Sequence, residues 1–172
     1  MASLEDDFRA LVRAHERDVH AVLAQVLFRA TLGDVDDLAQ ETFLRVHRAL
    51  PQFVERGAAA RRRWVLTIAA RIAIDHLRKR SFADLPFDED VHRLPVAGTD
   101  ELARYRRLEA RVEVALRELT PEHRAVLVLR DLHGFEYAEV ASSLGLDLGT
   151  VKSRLHRARQ RVRTALKKDG NG

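Results

Sequence analysis

Eight Lys and Arg residues and no acid fall between positions 150 and 168, which suits a surface that grips a polyanion. Val151, Leu155, Ala158, Val162 and Ala165 recur at helical spacing and form one apolar stripe. Lys152, Ser153, His156 and Arg157 are thereby turned to the opposite face, with Thr150 at the helix start and Arg154 and Arg159 more lateral. Arg and Lys donate to guanine O6 and N7, while Ser and His meet either donors or acceptors on base edges. Arg161 and Arg163 extend the charge towards phosphates, whose contacts hold register without reading sequence.

Other chemistries lack their residues. There is no cysteine, so disulfides and thiolate metal sites are excluded. The eight histidines lack metal-ligand spacing; His15 and His20, five apart, cannot share a helix face well. No glycine-rich phosphate loop or nucleophile elbow occurs. Asp34, Asp36 and Asp37 offer carboxylates for a magnesium ion, but acids at a helix start are more simply caps. The expectation is a protein that is not an enzyme, with no cofactor, no metal and no catalytic residue.

The basic helix needs a scaffold. Val140 and Ala141 face inward on a short preceding helix, and Leu144-Gly145-Leu146 makes a tight turn in which Gly145 can take a positive φ. The small Ala141 permits close approach of the two helices. This spacing is that of a helix-turn-helix, whose second helix enters the major groove. A helical hairpin with a merely solvated basic surface is the plainer alternative; the glycine turn, the small alanine and the all-basic face coincide against it.

Upstream the same helical period continues. A first helix is expected from Leu4 to about Phe28, and a second from Val35 to Leu50, with Gly33 as the break, Asp34 as the cap and Pro51 as the stop. Val54 to Arg63 reads as a loop, followed by a helix from Trp64 to about Arg80. A fourth long helix runs from Asp100 to Leu119, with Leu102, Leu108, Val112, Ala115, Leu116 and Leu119 inward. Thr120 caps the next, and Pro121 takes its first position.

Charge divides the chain. Residues 54–80 hold eight bases against Glu55 and Asp75, residues 81–101 hold six acids against Arg93, and the basic block at 150–168 follows. Two basic blocks separated by an acidic connector suggest two contacts with a polyanion. Residues 81–99 contain Pro86, Pro95 and Gly98 with no sustained period, and read as a flexible linker. The architecture expected is all-α: two small helical domains, 1–80 and 100–168, joined by an acidic linker. The acidic N-terminus lacks the order of a signal peptide, and no stretch approaches the roughly 20 apolar residues of a membrane span. A cytoplasmic location is expected.

With these pieces in order, the chain resembles a bacterial RNA polymerase sigma factor of the extracytoplasmic-function (ECF) group. Asp34-Val35-Asp36-Asp37-Leu38-Ala39-Gln40-Glu41-Thr42-Phe43-Leu44-Arg45 resembles its core-polymerase-binding segment, region 2.2. Trp64-Val65-Leu66-Thr67-Ile68-Ala69 and Ile74-Asp75-His76-Leu77-Arg78 look like regions 2.3 to 2.4, which meet the promoter −10 element. Leu119-Thr120-Pro121-Glu122-His123-Arg124 and Gly149-Thr150-Val151-Lys152-Ser153-Arg154-Leu155-His156-Arg157-Ala158-Arg159 resemble region 4, the −35 reader.

The resemblance implies partners and roles. Core RNA polymerase would be met by Asp37, Gln40, Glu41 and Arg45, which otherwise read as an ordinary solvated face. Promoter DNA would be met at −10 by Arg61, Arg62, Arg63, Arg71, Asp75 and Arg78. At −35 the readers would be Thr150, Lys152, Ser153, Arg154, His156, Arg157 and Arg159. A cognate anti-sigma factor is implied as well. Two departures stand out: Arg61-Arg62-Arg63 precede Trp64 where the family often has an aromatic or apolar residue, and Arg71 stands where many members have Asn. Both point to more reliance on charge at −10. Trp64 reads as a packing residue rather than a stacking platform. Asp84, Asp88, Glu89 and Asp90 suit either a nucleic-acid mimic in a basic channel or a solubilising tether. A free-standing helix-turn-helix regulator is the alternative function, but it leaves the first eighty residues without a role.

Overall fold

The computed structural model describes residues 4–28, 32–54, 56–80, 112, 115, 116 and 118–168. Every regular element among them is helical. The N-terminal unit comprises α1 (Leu4–Leu27), α2 (Leu32–Ala49), a 3-10 turn (Leu50–Gln52) and α3 (Ala58–Arg80). The C-terminal unit comprises α4 (Pro121–Leu127), a π-helical turn (Val128–Leu132), α5 (Tyr137–Leu144) and α6 (Leu148–Lys168).

On α1 the residues Leu11, Val19, Val22, Leu23, Val26 and Leu27 are buried, all on the stripe that 3.6-residue periodicity defines. They pack on α2 and α3, whose own buried rows include Val35, Leu38 and Val46, and Val65, Leu66, Ala69, Ile72 and Ala73. Each fully buried Val or Leu contributes about 1.5–3 kcal/mol. Leu23→Ala, at a fully buried position, should cost about 2–5 kcal/mol. Thr42 is also buried, and its hydroxyl donates to the Leu38 carbonyl at 2.7 Å, so no polar atom is stranded there.

Two boundaries differ from expectation. α2 begins at Leu32, so Gly33 is no break, and Asp34 sits in the first turn, where its charge still suits the helix dipole. α3 begins at Ala58 rather than Trp64. Gly57, at φ +96°, makes the bend, and the three alanines and three arginines after it are strong helix formers. Arg61, Arg62 and Arg63 are therefore helical residues, not loop residues. Trp64 stacks on Phe53 with ring centroids 4.4 Å apart. The linker residues 81–99, including Asp84, Asp88, Glu89 and Asp90, lie outside the described residues, as do Leu102 and Leu108. Of the helix expected from Asp100 to Leu119, Val112, Ala115 and Leu116 are helical, and Ala115 and Leu119 are buried.

In the C-terminal unit Thr120 caps α4 by accepting from the His123 amide at 3.3 Å, and Pro121 holds the first position. The π-turn closes with the His133 amide on the Val128 carbonyl at 3.1 Å, five residues back. Gly134 and Gly145 both take positive φ, +72° and +64°. At Gly145 this left-handed residue ends α5, and the Leu146 amide returns to the Ala141 carbonyl at 2.9 Å. The two units are packed together: α1 meets α4 and the π-turn, and α3 meets α4 and α5. Their buried apolar residues form one continuous cluster.

Candidate nucleic-acid interface

α5, the Gly145 turn and α6 form the helix-turn-helix. Val151, Leu155 and Ala158 are buried, and Val162 packs on the core from its edge. Lys152, Ser153, His156 and Arg157 are exposed on the outward side, and Arg154 is half-buried. Asp147 caps α6: its carboxylate accepts from the Thr150 amide at 2.7 Å and from the Thr150 hydroxyl. These bonds hold the Asp147 carboxyl below the usual carboxylate range. The Thr150 hydroxyl proton is thus engaged, and Ser153 donates to the Thr150 carbonyl at 3.0 Å.

The flanking arginines Arg159 and Arg161 are exposed too, but both are engaged by neighbouring oxygens. Arg159 is gripped by both Asp131 oxygens, Nε–Oδ2 at 2.9 Å and Nη2–Oδ1 at 2.6 Å, a forked pair that raises its already high pKa. Arg161 donates to the Glu118 carbonyl at 2.7 Å. Burial and the positive field of Arg154, Arg161 and Arg157 hold His123 neutral to lower pH than usual. Beside α6 a cleft of about 270 Å³ is lined by Tyr137, Lys152, His156, Arg159, Gln160 and Arg163, among others. Gln160 is an exposed residue of this face that patterning on charge did not single out.

α3 carries its cations to a different place. Arg61 pairs with Asp7 at 2.9 Å and Arg62 with Asp18 at 2.6 Å, both on α1. Arg62 also reaches the C-terminal unit, donating at 3.3 Å to the His133 carbonyl and to its ring Nδ1. Arg63 pairs with Glu139 of α5 at 3.1 Å. Arg71 donates to the carbonyls of Ser143 (2.6 Å) and Ser142 (3.3 Å). Arg78 pairs with Glu122 of α4 at 3.0 Å, and Asp75 is exposed. On α2, Asp37 and Gln40 are exposed, while Arg45 pairs with Glu41 one turn before it. Exposed Leu44 interrupts this polar surface.

The least anticipated polar residue is Arg124, only 6% exposed. Among the described residues no carboxylate pairs with it; it donates to the carbonyls of Val26 (2.8 Å), Leu119 (2.9 Å) and Leu116 (3.0 Å), and lies over the Phe28 ring. Burial pushes its pKa down to about 10. One signal was available: a charge inside the apolar run from Arg124 to Leu129, on a helix that such a run must bury. Among the described residues no group of His, Cys, Asp and Glu could hold a metal ion. No helix among them is long and apolar enough to cross a membrane.

A helix-turn-helix with a basic outward face, set on a second helical unit, defines the class: an all-α protein built to meet nucleic acid. Comparison with known proteins narrows it. The family model for sigma-70 region 2 matches residues 11–83, and that for sigma-70, region 4 matches residues 109–162. The ECF RNA polymerase sigma factor SigL of Mycobacterium tuberculosis is 34% identical, over 94% of this chain and 92% of its own. SigE of Mycolicibacterium smegmatis is also 34% identical, over 92% of this chain; the match spans 61% of the SigE length. Among solved structures, the sigma factor RpoE of Bartonella quintana, in complex with the anti-sigma factor NepR, superposes with a TM-score of 0.71 at 26% identity, covering 95% of this chain and 98% of that one. The chain belongs to the ECF group of RNA polymerase sigma factors.

Proposed function

We propose that this sigma factor binds core RNA polymerase through α2 and directs it to promoters by reading −10 DNA with α3 and −35 DNA with α6. The observation that carries the reading is the outward strip of α6. Lys152, Ser153, His156 and Arg157 are exposed opposite buried Val151, Leu155 and Ala158, on the second helix of a helix-turn-helix, the element that enters the major groove. Thr150, Arg154 and Arg159 flank that strip. On α3 the cations Arg61, Arg62, Arg63, Arg71 and Arg78, with Asp75, are the −10 candidates. On α2 they are Asp37, Gln40, Glu41 and Arg45 for the polymerase. Residues 1–80, 81–99 and 100–168 would then be the −10 and polymerase-binding domain, the linker and the −35 domain. A cognate anti-sigma factor is a further partner, supported by the complex in which the RpoE relative was solved. The site of action is the cytoplasm, where polymerase and promoter meet, and the chain carries out no catalysis of its own.

The free-standing regulator is not favoured, since a region 2 match occupies residues 11–83, which such a regulator does not need. In vitro transcription with purified core enzyme on a genomic library tests the proposal. Initiation should concentrate at a small set of sites sharing −10 and −35 elements, and only when the chain is added. Operator binding by the chain alone, with no change in initiation by core, would return the regulator reading.

A further inference from the structure

One joint between the units turns on a group that titrates. His133, half-buried at the end of the π-turn, meets Arg62 of α3 twice. The guanidinium donates to the His133 carbonyl and to its ring Nδ1, both at 3.3 Å. An arginine can only donate, so Nδ1 carries no proton. The ring's one proton sits on Nε2 and goes to the Gln25 side-chain oxygen on α1, at 2.9 Å. Arg62 is itself fixed against the ring, because Asp18 of α1 holds its Nε at 2.6 Å. We infer that His133 is a proton-operated latch: a proton taken up on Nδ1 releases the π-turn from α1 and α3 while each unit keeps its helices.

The charges around the ring leave a second proton unanswered. α1 brings Asp18, already bonded to Arg62, and His15, whose Nδ1 is buried without a hydrogen-bond partner. α3 brings Arg62 and, one residue before it, Arg61, which Asp7 pairs. The π-turn itself brings Arg130, near Glu136, and Asp131, forked with Arg159. Every one of these carboxylates is committed elsewhere. A proton on Nδ1 would therefore set an N–H against the guanidinium, turning an acceptor into a like charge at 3.3 Å. Burial foremost, then Arg62, already holds the ring neutral below its ordinary 6.5, with Asp18 pulling the other way. Once the turn lifts off, water restores the ordinary value, so the open form binds the proton first. The latch is thus shut above pH 6.5 and freed as the pH falls through the depressed value. Asp18 is lowered and stays ionised across that range.

The chain has no cysteine, so two dyes can be placed cleanly. Ala10→Cys on α1 and Thr164→Cys on α6 are both exposed sites. Energy transfer between them in the full chain reports the separation of the units, and circular dichroism reports the helices. Between about pH 7.5 and about pH 5, transfer should fall in one step while the circular dichroism holds. The opening constant should rise up to about tenfold per pH unit for each proton taken up. His133→Gln keeps an acceptor for Arg62 and a donor for Gln25, and should lower that slope by about one proton. Gln25→Glu sets a carboxylate on Nε2, which favours the charged ring in the shut form, and should flatten the slope as well. Constant transfer throughout, or transfer and circular dichroism lost together at one midpoint, overturns the latch. A wild-type slope in either variant also overturns it. No DNA or polymerase enters the measurement, so its outcome is separate from that of the sigma factor reading.

Discussion

The Arg124 guanidinium donates to the Val26 carbonyl at 2.8 Å, joining α4 to the C-terminal end of α1 across 98 residues of sequence. Carbonyls in the last turn of a helix have no intrahelical donor and carry the negative end of its dipole. Leu119 and Leu116 supply two more oxygens from the segment before α4, and the Leu116 carbonyl accepts from the Leu119 amide as well. One buried cation thus serves helix ends of both units, its charge met by three carbonyl oxygens.

Arg124→Met keeps the volume and removes the donors. Three hydrogen bonds are then lost, which should cost about 3 kcal/mol of stability, read as a shift in the urea midpoint. Arg124→Lys, which can reach fewer of the three, should fall between the two. A loss under about 0.5 kcal/mol in the Met variant would mean that water replaces the guanidinium and the bonds add nothing net.

Stability should also fall on mild acidification. Burial foremost holds His15, His123 and His133 below the ordinary value of 6.5, against which Asp18 at His15 and His133, and Glu122 at His123, pull the other way. At His133 the ring Nδ1 faces Arg62 and Nε2 faces Gln25 at 2.9 Å, so the neutral ring accepts from one and donates to the other. A second proton would point at the guanidinium. Since the unfolded chain takes up these protons first, stability is complete above pH 6.5 and is lost as the pH falls through the depressed native values. Asp18, Glu122 and Asp147 are lowered as well, but their losses come only below the ordinary carboxylate range. Denaturation midpoints between about pH 7.5 and pH 5 should decline, and His133→Gln, which keeps one donor and one acceptor, should decline less. An identical slope in that variant would remove His133 from the account.

On α2, Glu41→Lys should weaken assembly with core polymerase while leaving the circular dichroism unchanged. The half-buried Glu41 carboxylate is paired with Arg45 one turn on, an arrangement worth only a few tenths of a kcal/mol to the helix. Reversal therefore acts on the docking surface far more than on the fold. Unchanged affinity for core, with the helix intact, would move the interface elsewhere on the unit.

What could be read in the chain depended on whether the signal was local. The stripe of α6, the Gly145 turn and the Thr120–Pro121 helix start are local statements about period, φ and capping, and each appears where expected. The start of α3 was misplaced because Gly57 and a run of like charges resemble a loop. Carboxylates from α1 and α5 neutralise that run, and they are distant in sequence. Arg124 was quoted in a motif but given no role, since its acceptors are backbone carbonyls, which every residue has. The same blindness applied to Arg71: a cation can be read as a DNA contact from its type alone, while its engagement with Ser142 and Ser143 belongs to tertiary structure.

The sharpest prediction separates reading from anchoring on α6. Arg157 is exposed on the outward strip, in the half of the recognition helix that reaches base edges in this motif. Arg161 lies one turn further on and is already bonded to the Glu118 carbonyl, at the flank where a phosphate would pass. If Arg157 makes a bidentate contact with a guanine, Arg157→Ala should lose about 1–3 kcal/mol and relax discrimination at that base pair. Arg161→Ala should instead weaken binding evenly across sequences and reduce the salt slope by about one. Reconstituted holoenzyme, assayed for initiation on promoters with each −35 position varied in turn, distinguishes the two. Should Arg157→Ala keep the wild-type preference at every position while Arg161→Ala changes one, the reading and anchoring roles belong the other way round.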